Sequence, residues 1–191
     1  MIETSLFESE HLRLSSVDVD KDAPIESLWT YDLNYARHID RSLARPRTMF
    51  EMKRYYQTLQ KGQEKNELVH FAVRRRADDR LVGFWRLDGI EWANGVAHLQ
   101  MAIGDAQQRC YEAELLMLAL RYAFDELNLY RLQAWVPEHD RTAQTLYVEQ
   151  GGFTLEGRRR LADFYAGRLW DVLMYGLLRP EWQASRVEVT A

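Results

Sequence analysis

The chain has 191 residues, 47% of them apolar and 28% charged, enough for one domain with a sizeable core. A formal charge of −4 argues against a general nucleic-acid binder, and a single cysteine leaves no internal disulfide, which fits a reducing, cytoplasmic setting. No run approaches the roughly 20 apolar residues that a membrane span needs, and "MIETSLFESEHLRL" lacks the continuous apolar stretch of a secretory signal or an anchor.

In chain order, "HLRLSSV" alternates apolar and polar residues and predicts a first strand. Asp22 is the expected cap of a helix carrying Pro24 in its first turn and Ile25, Leu28, Trp29 and Leu33 at helical spacing. "RSLARPR" breaks that pattern, and Thr48 is expected to cap a second helix, "MFEMKRYYQTLQKG", ended by Gly62. "LVHFAVRRR" and "RLVGFWRLDGI" flank "ADD" as a hairpin, and "WANG" turns the chain into a further strand, "VAHLQMAIG". A helix over 112–127 is apolar nearly all round and should be largely buried. "YRLQAWV" reads as a strand, and "RTAQTLYVEQ" as a helix stopped by Gly151-Gly152. "FTLEGRRRLADFY" and "LWDVLMYGLL" close as a hairpin across "AGR". The strand-helix-strand unit at 96–136 should be a right-handed parallel crossover beside an antiparallel meander. The expected fold is therefore α+β, a mixed and mostly antiparallel central sheet flanked by helices. A single domain over 1–182 and a tail over 183–191 are expected.

Two stretches carry chemistry. In "VAHLQMAIG" one face holds Ala97, Leu99, Met101 and Ile103, the other Val96, His98, Gln100 and Ala102. A strand buried on both faces would avoid the His98–Gln100 pair, so the second face should line a wet cleft. Between this strand and the helix at 112 lies "GDAQQRCYEA". A strand running into a helix N-terminus is a place where free N–H groups can hold a phosphate, but such turns are normally rich in glycine. His11, His38, His70 and His139 are scattered without zinc spacing, and no metal is expected. "RRR" at 74–76 and 158–160 reads as solvated surface.

The element order and the phrases "LVGFWRL", "AHLQMAIGD", "YAFDELNLYRLQAWV", "RTAQTLY", "GGFTLEGRRR" and "GRLWDVLMYGLLRPEW" resemble the GCN5-related N-acetyltransferases, from Leu6 to Trp182. The likeness is to the branch that acetylates ribosomal-protein N-termini and related amines. The resemblance implies an acetyl-CoA-dependent N-acetyltransferase that passes the acetyl group directly to a primary amine, either a small molecule or a peptide N-terminus. It implies His98 as base and Tyr147 as the acid that protonates the departing thiolate. Backbone around Met101, Ala102 and Ile103 would hold the pantetheine arm.

The pyrophosphate would fall on Gln108, Arg109, Cys110, Tyr111, Glu112 and Ala113, where only the first and last positions of the family's Q/R-x-x-G-x-G/A pattern survive. Asp140 and Ala143 belong to the donor site, with Asp140 standing where relatives carry asparagine. One arginine cluster could instead meet the 3′-phosphate of CoA. Tyr31, Tyr35 and His38 are the candidate acceptor contacts. The alternative is a non-catalytic module of the same fold that has lost normal pyrophosphate binding, and whether the chain forms a homodimer stays open.

Overall fold

The computed structural model describes residues 6–39 and 43–189. Residues 1–5 of the opening stretch, 40–42 of the first interhelix connection and the last two residues of the expected tail lie outside them. The elements are β1 (Leu12–Ser15), α1 (Val19–Trp29), α2 (Leu33–Ile39), α3 (Met49–Glu64), β2 (Val69–Arg75), β3 (Leu81–Glu91), β4 (Val96–Ile103), α4 (Glu112–Arg121), β5 (Arg131–Pro137), α5 (Arg141–Thr145), β6 (Thr154–Tyr165), β7 (Arg168–Leu178) and α6 (Arg179–Val189). A 3-10 helix at Ala106–Tyr111 leads into α4, and single π turns extend α4 over Tyr122–Glu126 and α5 over Leu146–Gln150.

The sheet has seven strands in the order β1-β2-β3-β4-β5-β7-β6. Every neighbouring pair is antiparallel except β4 and β5, the parallel pair joined by the α4 crossover. The expected alternation on β4 is observed. Ala97, Leu99, Met101 and Ile103 are buried against the α4 side, where Leu115, Leu116, Leu118 and Leu120 complete the main core. Met117 is the exception on that helix, 41% exposed.

A second, smaller core fills the other face, where Tyr35, Ile39, Met52, Tyr56 and Leu59 pack on Phe84. Thr48 caps α3 as expected: its hydroxyl accepts from the Glu51 N–H at 3.2 Å, and Glu51 Oε2 accepts from the Thr48 N–H at 2.9 Å. The helix runs past Gly62 to Glu64, because Gly62 serves packing: a Cβ there would lie 2.7 Å from Leu68. The left-handed residue that turns the chain is Asn66 (φ 57°).

Three expectations are corrected. The cap of α1 is Asp18, whose Oδ1 accepts from the N–H groups of Asp20 and Lys21 at 3.2 Å each. Asp22 lies one turn further on, fully buried, and Arg74 holds both of its carboxylate oxygens at 2.8 Å. Arg74 is therefore part of the interior and not of a solvated patch. The buried face of α1 is Asp22, Ala23, Glu26 and Ser27, while Leu28 is 69% exposed and Leu33, on the separate helix α2, is 53% exposed. At the C-terminus α6 continues as far as Val189, and Trp182 near its start is buried against Phe124.

Gly83 holds β3 against β4. A Cβ built there would sit 2.2 Å from the Ala102 carbonyl oxygen, a backbone atom that cannot yield. Gly83→Ala is expected to cost about 1–3 kcal/mol, read as a lower urea midpoint with unchanged m-value.

Candidate active site

β4 and β5 pair only at Val96–Arg131, Ala97–Leu132 and His98–Gln133. Beyond His98, β4 stays paired with β3 as far as Ile103, and β5 with β7 as far as Pro137. The two strands therefore part, and the β5-facing edge of β4 lacks a ladder partner. Such an edge is a template for amide groups of an extended ligand. α4 follows β4 and α5 follows β5, so the N-termini of both helices lie at the mouth of the gap.

On the face away from α4, a cleft of about 450 Å³ is walled by His98 and Gln100 of β4, Arg86 and Asp88 of β3, and Gln133 and Trp135 of β5, with Glu91 on its border. His98 is 12% exposed at its side chain. Its Nδ1 lies 3.2 Å from Asp88 Oδ1, outside hydrogen-bond geometry, and its ring meets Trp135 edge-on at 5.0 Å. His98 Nε2 is buried with no hydrogen-bond partner among the described residues. A buried imidazole nitrogen left unpaired calls for an explanation, and in a cleft wall a ligand hydrogen bond supplies one. Arg86 fixes this wall from behind: it is 4% exposed and donates to the Ile39 carbonyl at 2.8 Å, to the Tyr55 hydroxyl and to Gln100.

Arg86, Asp88, Glu91, Gln133 and Trp135 also line this cleft and were not singled out by their sequence pattern. The available signal was Arg86, a charge inside the otherwise buried run Leu81–Leu87.

Tyr147 lies elsewhere, on the π turn after α5, 8% exposed and packed on Phe153 at 5.2 Å. Burial pushes its hydroxyl well above the usual phenol range, and the charges of Asp140 and Glu112 push the same way. The phenol thus holds its proton at neutral pH. Asp140 caps α5, its Oδ1 accepting from the Ala143 N–H at 2.9 Å. Burial raises the Glu112 carboxyl, helped by Asp140 and opposed by Arg109 and His38. Tyr147, Asp140, Glu112 and His38 therefore share one neighbourhood at the mouth, apart from the His98 cleft.

The turn departs from a phosphate cradle. Its one glycine, Gly104, makes room for Trp29, whose ring would be 2.0 Å from an added Cβ. The Gln107 N–H goes to Asp105 Oδ1 at 3.0 Å, the Gln108 N–H to the Asp105 carbonyl at 2.8 Å, and the Glu112 N–H to the Arg109 carbonyl. Gln108 receives a bond from Arg75 at 3.3 Å, and Arg109 pairs with Asp32 at 3.2 Å. Tyr111 packs on the core and lies 5.4 Å from the His11 ring, and Cys110 is exposed. Met101 and Ile103 bury their side chains in the core, so only their backbone is available to a ligand.

Of the acceptor candidates, Tyr31 is 71% exposed and His38 is exposed, its Nδ1 2.7 Å from the Asn34 carbonyl. Tyr35, expected in the acceptor pocket, is instead 2% exposed in the second core between Trp29 and Phe84. α2 reaches across to the β6–β7 hairpin, where Arg37 donates to the Phe164 carbonyl at 2.9 Å. Asp163 there joins Arg37 at 3.4 Å to His139 at 3.0 Å. Among the described residues no group of three or more His, Cys, Asp or Glu is placed to hold a metal, and no helix is long and apolar enough to cross a membrane.

A mixed sheet opened between its one parallel pair, with two helix N-termini at the opening and a polar cleft behind, is the acyl-CoA N-acyltransferase fold. The chain belongs to the acetyltransferase (GNAT) domain family, whose model matches residues 11–153, and it is an N-acetyltransferase. It is 25% identical over 177 residues to the SPbeta prophage-derived uncharacterized N-acetyltransferase YokL of Bacillus subtilis, covering 92% of this chain and 94% of that protein. The spermidine N-acetyltransferase of Vibrio cholerae in complex with CoA and spermine has the same fold, with a TM-score of 0.77 at 23% identity over 92% of this chain and 99% of that one. A dodecameric structure of the Vibrio cholerae enzyme in an intermediate state gives a TM-score of 0.74 at 24% identity over 91% and 97%.

Proposed function

We propose that the protein transfers the acetyl group of acetyl-CoA, bound as a substrate, directly to a small primary amine that arrives as a cation. The observation that carries this reading is the unpaired His98 Nε2 in the wall of a cleft that opens where β4 and β5 part. The neutral amine nitrogen attacks the thioester carbonyl carbon; as the tetrahedral intermediate collapses the C–S bond breaks, an amide C–N bond forms, and the nitrogen gives up its second proton, which restores the Tyr147 phenol. An ammonium of pKa near ~10 must first lose a proton, which His98 accepts. Tyr147 gives its proton to the departing thiolate, a role that suits a phenol kept protonated by burial. The unpartnered edge of β4 over Met101–Ile103 suits the amides of the pantetheine arm.

Asp88 and Glu91 outweigh Arg86, which lies 3.7 Å from Asp88, among the cleft charges and so favour a cationic acceptor, and the CoA and spermine bound to the Vibrio cholerae enzyme are in keeping with that choice. A peptide N-terminus remains the second acceptor class. Thiol release from acetyl-CoA is the test, run against a panel of diamines, polyamines, monoamines and short peptides. Turnover is expected, with kcat/KM highest for a diamine or polyamine and reduced about tenfold by Asp88→Asn. Turnover with none of the panel would sink the reading.

A further inference from the structure

Resting on the acetyl-transfer reading, we infer that the donor is recognised through its pantetheine thioester alone, and that the nucleotide half of CoA contributes little to binding. Anion binding at a strand-to-helix turn needs free backbone N–H groups, close backbone approach and no competing negative charge. The turn before α4 supplies none of the three. Asp105 has taken the N–H groups of Gln107 and Gln108, and the 3-10 helix takes that of Glu112. The side chain that Gly104 lacks is replaced by the Trp29 ring, so this glycine opens no room for a phosphate. Glu112 and Asp140 bring two carboxyl groups to the mouth, where they act together on Tyr147.

Most arginines of the neighbouring segments already hold a partner. Arg109 is paired with Asp32 at 3.2 Å, Arg80 with Asp105 at 3.4 Å, Arg75 with Asp78, and Arg141 bonds Gln144 at 3.1 Å. In the clusters that could have met the 3′-phosphate, the leading arginines already hold carboxylates, while Arg159 lies over the Trp135 ring. Arg74 grips Asp22, and Arg158 lies 3.0 Å from Glu138 and 2.8 Å from Asp171. By contrast, the edge of β4 beyond His98 is open to the two amides of a pantetheine arm. A thioester on a pantetheine arm without adenosine diphosphate therefore satisfies everything the gap offers.

The test separates the two halves of the donor. The full chain is titrated by calorimetry with pantetheine and with 3′,5′-ADP, and kcat/KM is compared for acetyl-CoA and S-acetylpantetheine with one amine. Pantetheine is expected to bind more tightly than 3′,5′-ADP, which should not saturate the protein at about 1 mM, and the two donors should differ by less than about tenfold in kcat/KM. Binding of 3′,5′-ADP as tight as that of pantetheine, a preference for acetyl-CoA above about tenfold, or failure of pantetheine to bind would each overturn the inference. Failure of the parent reading looks different: pantetheine binds, and neither donor acylates any amine.

Discussion

His98→Ala is expected to lower kcat/KM by about 10²- to 10⁴-fold at neutral pH, the usual worth of a positioned proton acceptor. Size alone does not identify a base, because His98 also packs on Trp135. Its pH dependence does. Above about pH 10 the solvent deprotonates the amine by itself, so the deficit should shrink there. Tyr147→Phe should cost about 10²-fold with acetyl-CoA, since the thiolate then leaves without a proton donor. That deficit should shrink with a thioester of an acidic aromatic thiol, whose anion needs no proton to depart. A His98→Ala deficit that stays constant well above pH 10, or a Tyr147→Phe deficit indifferent to the leaving thiol, would remove the assigned roles. Both measurements are initial rates of thiol release.

The second large effect concerns stability and comes from the small core under α1 and α3. Glu26 is 2% exposed and accepts a hydrogen bond from Tyr56. Burial pushes its carboxyl up from an ordinary 4.5 to about 7, although Tyr56, Tyr35 and Arg86 oppose the rise. His70 is 3% exposed with neither ring nitrogen hydrogen-bonded among the described residues, and burial, then Arg86, push it from 6.5 down to about 3.

Between pH 4.5 and 7 the folded chain keeps a Glu26 proton that the unfolded chain releases, so rising pH destabilises, in total by about 3 kcal/mol. Below pH 6.5 the unfolded chain binds a proton at His70 that the folded chain refuses down to about pH 3, so falling pH destabilises. The slopes are equal and opposite from pH 4.5 to 6.5, so the contributions of these two groups cancel there. Glu26→Gln should expose the histidine term, with stability rising by about 1.4 kcal/mol per pH unit across that window relative to wild type. His70→Phe should expose the glutamate term, falling with pH by a similar amount. Urea unfolding at several pH values measures both, and parallel pH profiles for the three proteins would sink the account.

Much of the architecture was legible in the order of the residues. The period-2 alternation of β4 announced its core face, and its other face lines the cleft at Val96, His98 and Gln100, while Ala102 packs on the second core. The turns at "WANG" and "AGR", where Gly95, Ala166 and Gly167 have positive φ, were marked by small or turn-forming residues. His98 could be singled out because a histidine and a glutamine on alternate positions cannot both be buried cheaply. The buried face of α1 was not legible. Asp22 reads as a helix cap and Glu26 draws no reading, because Arg74 from β2 and Tyr56 from α3 come beside them only in the fold. Arg86 was passed over for the same reason, since its partners are Tyr55, the Ile39 carbonyl and Gln100. Tyr35 looked like a pocket residue because its burial depends on Trp29 and Phe84.

The sequence by itself determined the strand order along the chain, the helices α3, α4 and α5, the parallel crossover at β4–β5 and the absence of glycine from 105–113, because these rest on local periodicity and backbone sterics. Only the tertiary structure decided what that turn does. Whether its N–H groups are free depends on the 3-10 hydrogen bonds, and whether its charges are available depends on Asp32, Arg75 and Asp140, far along the chain. Hydrogen bonding and electrostatics act between groups brought together in space, so they stay unsettled until the sheet has closed around them.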